Sequence, residues 1–84
     1  MKYSIGVIGK KEEILAFKAV GIETFFVTSV SEVEDLLLKI RKDKENLYAV
    51  IFLSEELFHG ISKDVLDKLT QDVVPALIPL PGIG

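Results

Sequence analysis

The fold is decided by the stretch Leu47-Tyr48-Ala49-Val50-Ile51-Phe52-Leu53. These seven residues are all apolar or aromatic, whereas a strand with one face in water would alternate between apolar and polar side chains. The run is too short to cross a membrane as a helix, and its β-branched and aromatic content favours a strand. A strand that is apolar throughout needs cover on both faces of its sheet. The stretch therefore predicts a parallel α/β arrangement with helices on both sides.

On either side of this stretch, the chain alternates between strand and helix patterns. Strands are predicted at residues 3–8, 25–27 and 75–79 in addition to the central one, with helical patterns between them. The connections are long enough for right-handed parallel crossovers, so we expect four parallel strands in the order 2-1-3-4. The sequence thus predicts a three-layer α/β/α fold of the receiver or flavodoxin-like type. It forms one domain over residues 1–84, with 79–84 as a tail.

Capping signals mark where the predicted helices begin and end. Gly21 is expected to end the first helix as a C′ glycine. Ser31, with Glu34 three residues later, is typical of a capping box at the start of the second helix. Ser54 and Ser62 are predicted to cap the helices that follow the central strand. The second helix also carries an apolar stripe at helical spacing, made of Val33, Leu36, Leu37 and Ile40.

Composition and charge narrow the class of protein. With 84 residues, 49% of them hydrophobic, the chain is near the small end of what folds as one domain. It has no cysteine, which excludes disulfides and thiolate metal sites and fits a reducing cytoplasm. The net charge is −3 with both signs interspersed, so there is no nucleic-acid footprint, and no segment is apolar enough for membrane insertion. We therefore expect a cytoplasmic protein whose partners are other proteins.

No catalytic, cofactor or metal site can be assembled from the sequence. The stretch Gly6–Lys11 has neither the three-glycine dinucleotide pattern nor the Walker lysine-serine/threonine ending. Ser54 stands where a receiver domain would carry its phosphorylatable aspartate, so phosphotransfer is not expected. Glu55 and Glu56 would point about 100° apart on a helix, and His59 is the only histidine. We expect a non-catalytic domain that binds no cofactor and no metal.

Two apolar segments are candidates for a partner surface, because exposed apolar patches mark interaction sites. One surrounds Gly60 beside a helix start, and the other is the last predicted strand, which Pro75 and Pro79 confine to a sheet edge. The candidate interface residues are Leu57, Phe58, Ile61, Ala76, Leu77 and Ile78. The competing interpretation is that these side chains close the core of a small domain.

The ordered set of segments resembles the F subunit of V-type and archaeal A-type ATPase/ATP synthase complexes. Residues 5–9 match the opening strand of that family. Residues 16–22 are similar to its glycine-phenylalanine-arginine-leucine-alanine-glycine-valine segment, with alanine, lysine and alanine as departures. Residues 31–40 are similar to its glutamate-rich second helix, residues 50–57 to its isoleucine-rich strand followed by threonine-glutamate, and residues 75–82 to its closing strand between prolines.

The resemblance implies a non-catalytic rotor component in the central stalk of a proton- or sodium-translocating complex. Members of that family dock on the long coiled-coil D subunit and turn with it inside the catalytic hexamer, peripheral to the membrane-bound part. They usually continue past the proline-glycine turn into a C-terminal segment associated with regulating ATP hydrolysis. We therefore expect a truncated or short member that keeps the stalk-binding part. The alternative that the topology leaves open is a degenerate receiver-like module that acts by protein contact without phosphorylation.

Overall fold

Four parallel strands form one sheet in the computed structural model, which describes residues 3–43, 45, 47–71 and 75–81. The strands are β1 (Ser4–Gly9), β2 (Glu23–Phe26), β3 (Tyr48–Ser54) and β4 (Ala76–Leu80). The helices are α1 (Lys11–Ala19), α2 (Val30–Lys42), α3 (Glu55–Gly60) and α4 (Lys63–Leu69). The strand order is β2-β1-β3-β4 and each pair is parallel, so the predicted three-layer α/β/α topology is confirmed.

The last strand lies at the edge of the sheet, where a chain that contains proline can be accommodated. Pro79 pairs in register with Leu53 of β3, and β4 has no neighbour on its outer side among the described strands. The predicted tail began too early, because Pro79 and Leu80 both belong to β4. Residues 82–84, at the end of that tail, lie outside the described residues. The helix after β3 runs through Gly60 before the chain turns into α4.

The register of the strands sorts side chains onto the two faces of the sheet. Paired residues of parallel strands point the same way: Ile8 pairs with Leu53, and Val7 pairs with Phe52. The face of Ile8 and Leu53, here called the core face, is covered by α2, α3 and α4. Side chains of these helices and of the core face form one buried cluster. Its members are Ile8, Val27, Val33, Leu37, Tyr48, Ile51, Leu53, Leu57, Ile61 and Leu69. The opposite face, here called the α1 face, carries α1, which packs on β1 and β2.

α1 approaches β1 closely because the residue beneath it is a glycine. A Cβ at Gly9 would lie 2.8 Å from Cγ2 of Ile14, whose side chain is fully buried. The helix then ends at Gly21, which has a φ of 85° and donates its N–H to the Lys18 carbonyl at 3.2 Å. The next N–H, of Ile22, reaches back to a carbonyl in the preceding turn, which completes a Schellman motif. The predicted C′ glycine is therefore confirmed.

The start of α2 lies two residues earlier than predicted. Ser29 is the N-cap, and its hydroxyl accepts the N–H of Glu32 at 3.3 Å. The Glu32 carboxylate in turn accepts the N–H and the hydroxyl of Thr28. The sequence contains two overlapping serine-x-x-glutamate patterns, and the prediction chose the wrong one. Glu34 of the second pattern instead accepts the N–H of Ser62 at 3.1 Å, which ties α2 to the start of α4.

The two predicted caps after β3 have different outcomes. The Ser62 hydroxyl accepts the N–H of Val65 at 3.4 Å, so the cap of α4 is confirmed. Ser54 precedes α3 but its side chain makes no capping hydrogen bond, so that prediction is wrong. The physical reason is its place in β3: the Ser54 side chain is 4% exposed and lies against Gly9 on the α1 face. A side chain held by the sheet cannot also turn toward the helix start.

An irregularity at the start of β3 turns Tyr48 onto the core face. Ser4 pairs with Tyr48, but Ile5 pairs with Val50, so the register shifts by one residue within β3. Such a bulge changes which side chains share a face. Tyr48 therefore joins the same buried cluster as Ile51, although simple alternation would separate them.

The Tyr48 side chain is held by an aromatic contact and a hydrogen bond. Its ring meets the Phe25 ring edge to face, with centroids 6.0 Å apart. Its hydroxyl donates a hydrogen bond to the Glu23 carboxylate. Burial, this hydrogen bond, and the negative charges of Glu23 and Asp43 raise the pKa of the Tyr48 hydroxyl well above its usual value. The neutral phenol is thus the form that the folded state favours.

The position of the α2 cap can be tested with two single substitutions in neighbouring serines. Ser29→Ala removes the acceptor for the Glu32 N–H and should lower the free energy of unfolding by about 1 kcal/mol. Ser31→Ala changes an exposed residue inside the helix and should leave stability nearly unchanged. Urea unfolding followed by circular dichroism compares the two. A larger loss in Ser31→Ala than in Ser29→Ala would contradict the assignment.

The raised pKa of Tyr48 predicts a loss of stability in alkaline solution. Because the folded pKa lies above the unfolded value of 10.0, the stabilisation is fully present below about pH 10. It declines as the pH rises above that value, since the unfolded state then releases the phenolic proton more readily. Tyr48→Phe should lower the free energy of unfolding by about 1 kcal/mol near neutral pH, and the difference from wild type should shrink above about pH 10. Denaturant unfolding across this pH range measures it.

Tyr3→Phe is the matched control, because that ring is 49% exposed. Removing this half-exposed hydroxyl should leave the free energy of unfolding near neutral pH nearly unchanged. A difference between Tyr48→Phe and wild type that does not change with pH would show that the Tyr48 hydroxyl is not held in its neutral form by the fold.

Candidate functional site

The six predicted interface residues lie on opposite faces of the sheet. Leu57 and Ile61 are only 4% and 8% exposed and belong to the core cluster. Phe58 and Leu77 are half-buried and pack against that same cluster. The remaining two residues lie on the α1 face, as their strand pairing below shows. A single partner helix cannot contact both groups.

The α1 face presents an apolar surface along β1, β3 and β4. Two rows of paired residues cross it: Ile5, Val50 and Ala76 form one, and Val7, Phe52 and Ile78 form the next. Beyond them, Leu80 pairs with Ser54. We call the part of this surface beside α1 the open strip, and define it by Ile5, Val50, Phe52, Ala76, Ile78 and Leu80.

The open strip has no helix of its own within the described part of the chain. α1 packs on β1 and β2, whereas α2, α3 and α4 belong to the core face. As a result Ile5 is 47% exposed and Ile78 is 40% exposed, and Ala76 is exposed between them. Scattered apolar residues on a surface are ordinary, but paired neighbours on three adjacent strands form a contiguous patch.

This patch could have been predicted from the topology of the whole sheet, although no single segment of the sequence indicates it. With right-handed crossovers and the order 2-1-3-4, the connection from β1 to β2 runs in one direction and the later connections run in the other. α1 is therefore left alone on its face, while β3 is apolar toward both faces. The predicted residues Ala76 and Ile78 belong to the resulting patch, and the side chains missed are Ile5, Val50, Phe52 and Leu80.

The carboxyl ends of β1 and β3, where α/β proteins commonly bind ligands, are filled by the protein itself. Ile14 packs over Gly9 on the α1 face, and Ser54 lies beside the same glycine. The Ser54 hydroxyl, at the position of a receiver phosphoacceptor, has no exposed surface and no hydrogen-bond partner among the described residues. A phosphodonor could not reach this hydroxyl without displacing α1.

The rim above these strand ends is polar. Lys10 Nζ lies 3.7 Å from Glu56 Oε1, and His59 Nε2 lies 3.8 Å from Glu55 Oε1. Over residues 3–43, 45, 47–71 and 75–81, no three histidine, cysteine, aspartate or glutamate side chains come together as metal ligands would. None of the helices in these ranges has the length and apolar character needed to cross a bilayer.

Comparison with known proteins identifies relatives along nearly the whole chain. Residues 5–84 match the family model described as "ATP synthase (F/14-kDa) subunit". The F subunit of the V-type ATP synthase of Clostridium botulinum (strain Eklund 17B) is 39% identical over 77 residues, which are 92% of this chain and 71% of the relative. The corresponding protein of Clostridium perfringens is 37% identical over 81 residues, covering 96% of this chain and 73% of the relative.

The archaeal branch and a solved structure agree with this assignment. The F subunit of the A-type ATP synthase of Thermoplasma volcanium is 36% identical over 85 residues, covering 98% of this chain and 79% of the relative. The crystal structure of its V-type counterpart in Archaeoglobus fulgidus superimposes with a TM-score of 0.80. It covers 95% of this chain and 99% of that one at 17% identity, which shows a shared fold. The chain therefore belongs to the family of F subunits of V-type and A-type ATP synthases, whose members are accessory rather than catalytic components of the complex.

Proposed function

We propose that this protein is part of the central stalk of a proton- or sodium-translocating ATP synthase or ATPase, and that it docks on the coiled-coil D subunit through the open strip. In this role it turns with its partner inside the catalytic hexamer and is peripheral to the membrane-bound part. Family membership supports the assignment to the ATP synthase complex. The open strip is the single observation on which the choice of docking surface rests.

A helix is the partner element that fits the open strip best. The strip is flanked by α1 on one side and ends at the β4 edge on the other, so it has the width of one helix on a three-layer sheet. Helices of a coiled coil carry apolar side chains in rows and can bury them against such a surface. A helix of the D subunit lying on β3 and β4 would give the α1 face the second helix that β3 requires.

The proposed interface keeps only those of the six predicted residues that are exposed on the open strip. Ala76 and Ile78 stay in the proposal because they are exposed on the open strip. Leu57, Ile61 and Leu77 point to the core face, where docking would require the core to open. Phe58 is half-buried on that side and marks the competing docking face. Substitutions at the two faces therefore separate the two possibilities.

Ile78→Lys should weaken docking on the D subunit by about tenfold or more, because it places a charge in the middle of the apolar contact. Phe58→Lys, on the other side of the sheet, should leave the affinity within about twofold of wild type. Each variant is titrated with the purified D subunit of the same organism by calorimetry, after circular dichroism has shown that it is folded.

Val20→Lys is the matched control for Ile78→Lys, because Val20 is 72% exposed at the end of α1 and is not one of the residues that define the strip. It introduces the same charge without entering the proposed contact, so its affinity should equal that of wild type. Wild-type affinity in Ile78→Lys together with a loss in Phe58→Lys would move the docking surface to the core-face side. Absence of binding by the wild-type chain would contradict the proposed function.

A further inference from the structure

Glu13 is a half-buried carboxylate that has no partner within the described part of the chain. It lies in the first turn of α1. One of its oxygens, Oε1, has no exposed surface and accepts no hydrogen bond from a described residue. A carboxylate oxygen that is shielded from water is costly to the fold unless a donor reaches it. Glu13 therefore needs a donor that these residues do not supply.

Helix geometry turns Glu13 toward β3 and the open strip. Lys18 lines a cavity along β2, so its side of α1 faces that strand, whereas the fully buried Ile14 points to the sheet. Successive residues of an α-helix are about 100° apart, so Lys18 lies about 40° to one side of Ile14 and Glu13 about 100° to the other. The side of α1 opposite β2 is the side next to β3, and Glu13 projects there.

Glu13 lies level with the carboxyl end of the open strip. The next residue, Ile14, packs over Gly9, and the Cβ of Ser54 lies beside the same glycine, 3.7 Å from the place where a Gly9 Cβ would be. Ser54 pairs in register with Leu80, the last residue of the strip. Glu13 therefore borders the open strip at its Leu80 end.

The lysines near Glu13 do not neutralise it. Lys10 Nζ lies 3.7 Å from Glu56 Oε1 instead, and Lys11 and Lys18 line cavities on the β2 side of α1. Glu13 forms no ion pair with a described residue. A helix docked on the open strip would remove more water from this carboxylate. Such a helix must bring a matching charge, because a buried charge without a partner opposes binding.

We propose that the helix docked on the open strip presents a lysine or arginine side chain to Glu13. This inference rests on the docking proposed above and names the partner's chemistry at one end of the contact. Four residue steps along β4 separate Ala76 from Leu80. They span about 13 Å, which equals about nine residues of a helix that lies along the strands. The basic residue therefore lies about nine residues from the apolar side chain that contacts Ala76.

The test compares Glu13→Gln with Glu12→Gln in binding to the purified D subunit of the same organism. Both variants remove one negative charge from the first turn of α1, but Glu12 is exposed and lines the cavity on the β2 side. We expect Glu13→Gln to weaken binding about tenfold at low ionic strength, and Glu12→Gln to stay within about twofold of wild type. The loss in Glu13→Gln should shrink as salt screens the charge pair. Calorimetry at about 0.05 M and about 0.5 M sodium chloride measures both effects, after circular dichroism has shown that each variant is folded.

A charge exchange then identifies the basic residue of the partner. Glu13→Lys places two positive charges in contact and should weaken binding more than Glu13→Gln does. The lysines and arginines of the docked D helix are replaced by glutamate one at a time. One of these D variants should restore the affinity of Glu13→Lys to within about tenfold of the wild-type pair. No recovery with any of them would overturn the inference.

Failure of this inference can be distinguished from failure of the proposed docking. Wild-type affinity in Glu13→Gln, in an assay in which Ile78→Lys still weakens binding, would overturn the charge pairing and leave the docking in place. Equal losses in Glu13→Gln and Glu12→Gln would assign the effect to the net charge of α1 and would also overturn the pairing. Absence of binding by the wild-type chain would contradict the docking itself, and the pairing with it.

Discussion

The pairing of β3 between β1 and β4 is the interaction on which the rest of the structure depends. β3 is apolar over almost its whole length, so it is stable in water only when both faces of the sheet are covered. On the core face, α2, α3 and α4 provide that cover through a buried cluster that includes Ile51 and Leu53. On the other face, Val50 and Phe52 carry equally apolar side chains, but α1, the one helix that the described residues place there, packs on β1 and β2.

This imbalance follows from connectivity and not from any one residue. Right-handed crossovers place α1 alone on its face as soon as the strand order is β2-β1-β3-β4. The ligand crevice that such a topology offers is filled by Ile14 over Gly9, whereas the apolar surface beside α1 is exposed at Ile5 and Ile78. The chain belongs to a family of accessory ATP synthase subunits, and the fold alone does not assign their function, so the proposed function starts from this surface.

Much of the fold could be predicted because local patterns and topology point the same way. The apolar run indicated the central strand, Gly21 indicated the end of α1, and the alternation of strand and helix patterns indicated a parallel sheet. The cap of α2 could not be chosen, since two serine-x-x-glutamate patterns overlap and only packing selects Ser29. The sequence also did not predict on which face of the sheet each strand side chain lies. The face depends on register, and a bulge beside Tyr48 reverses the alternation.

The assignment of the open strip as the docking face is best tested by methyl NMR of the selectively labelled protein with and without the D subunit. We expect the methyl signals of Ile5, Val50, Ile78 and Leu80 to shift on complex formation, because these side chains pass from water into a packed contact. The methyl signals of the core-face residues near α3 and α4, Leu57, Ile61 and Leu69, should stay in place. Shifts confined to that second group, with the open strip unchanged, would contradict the assignment.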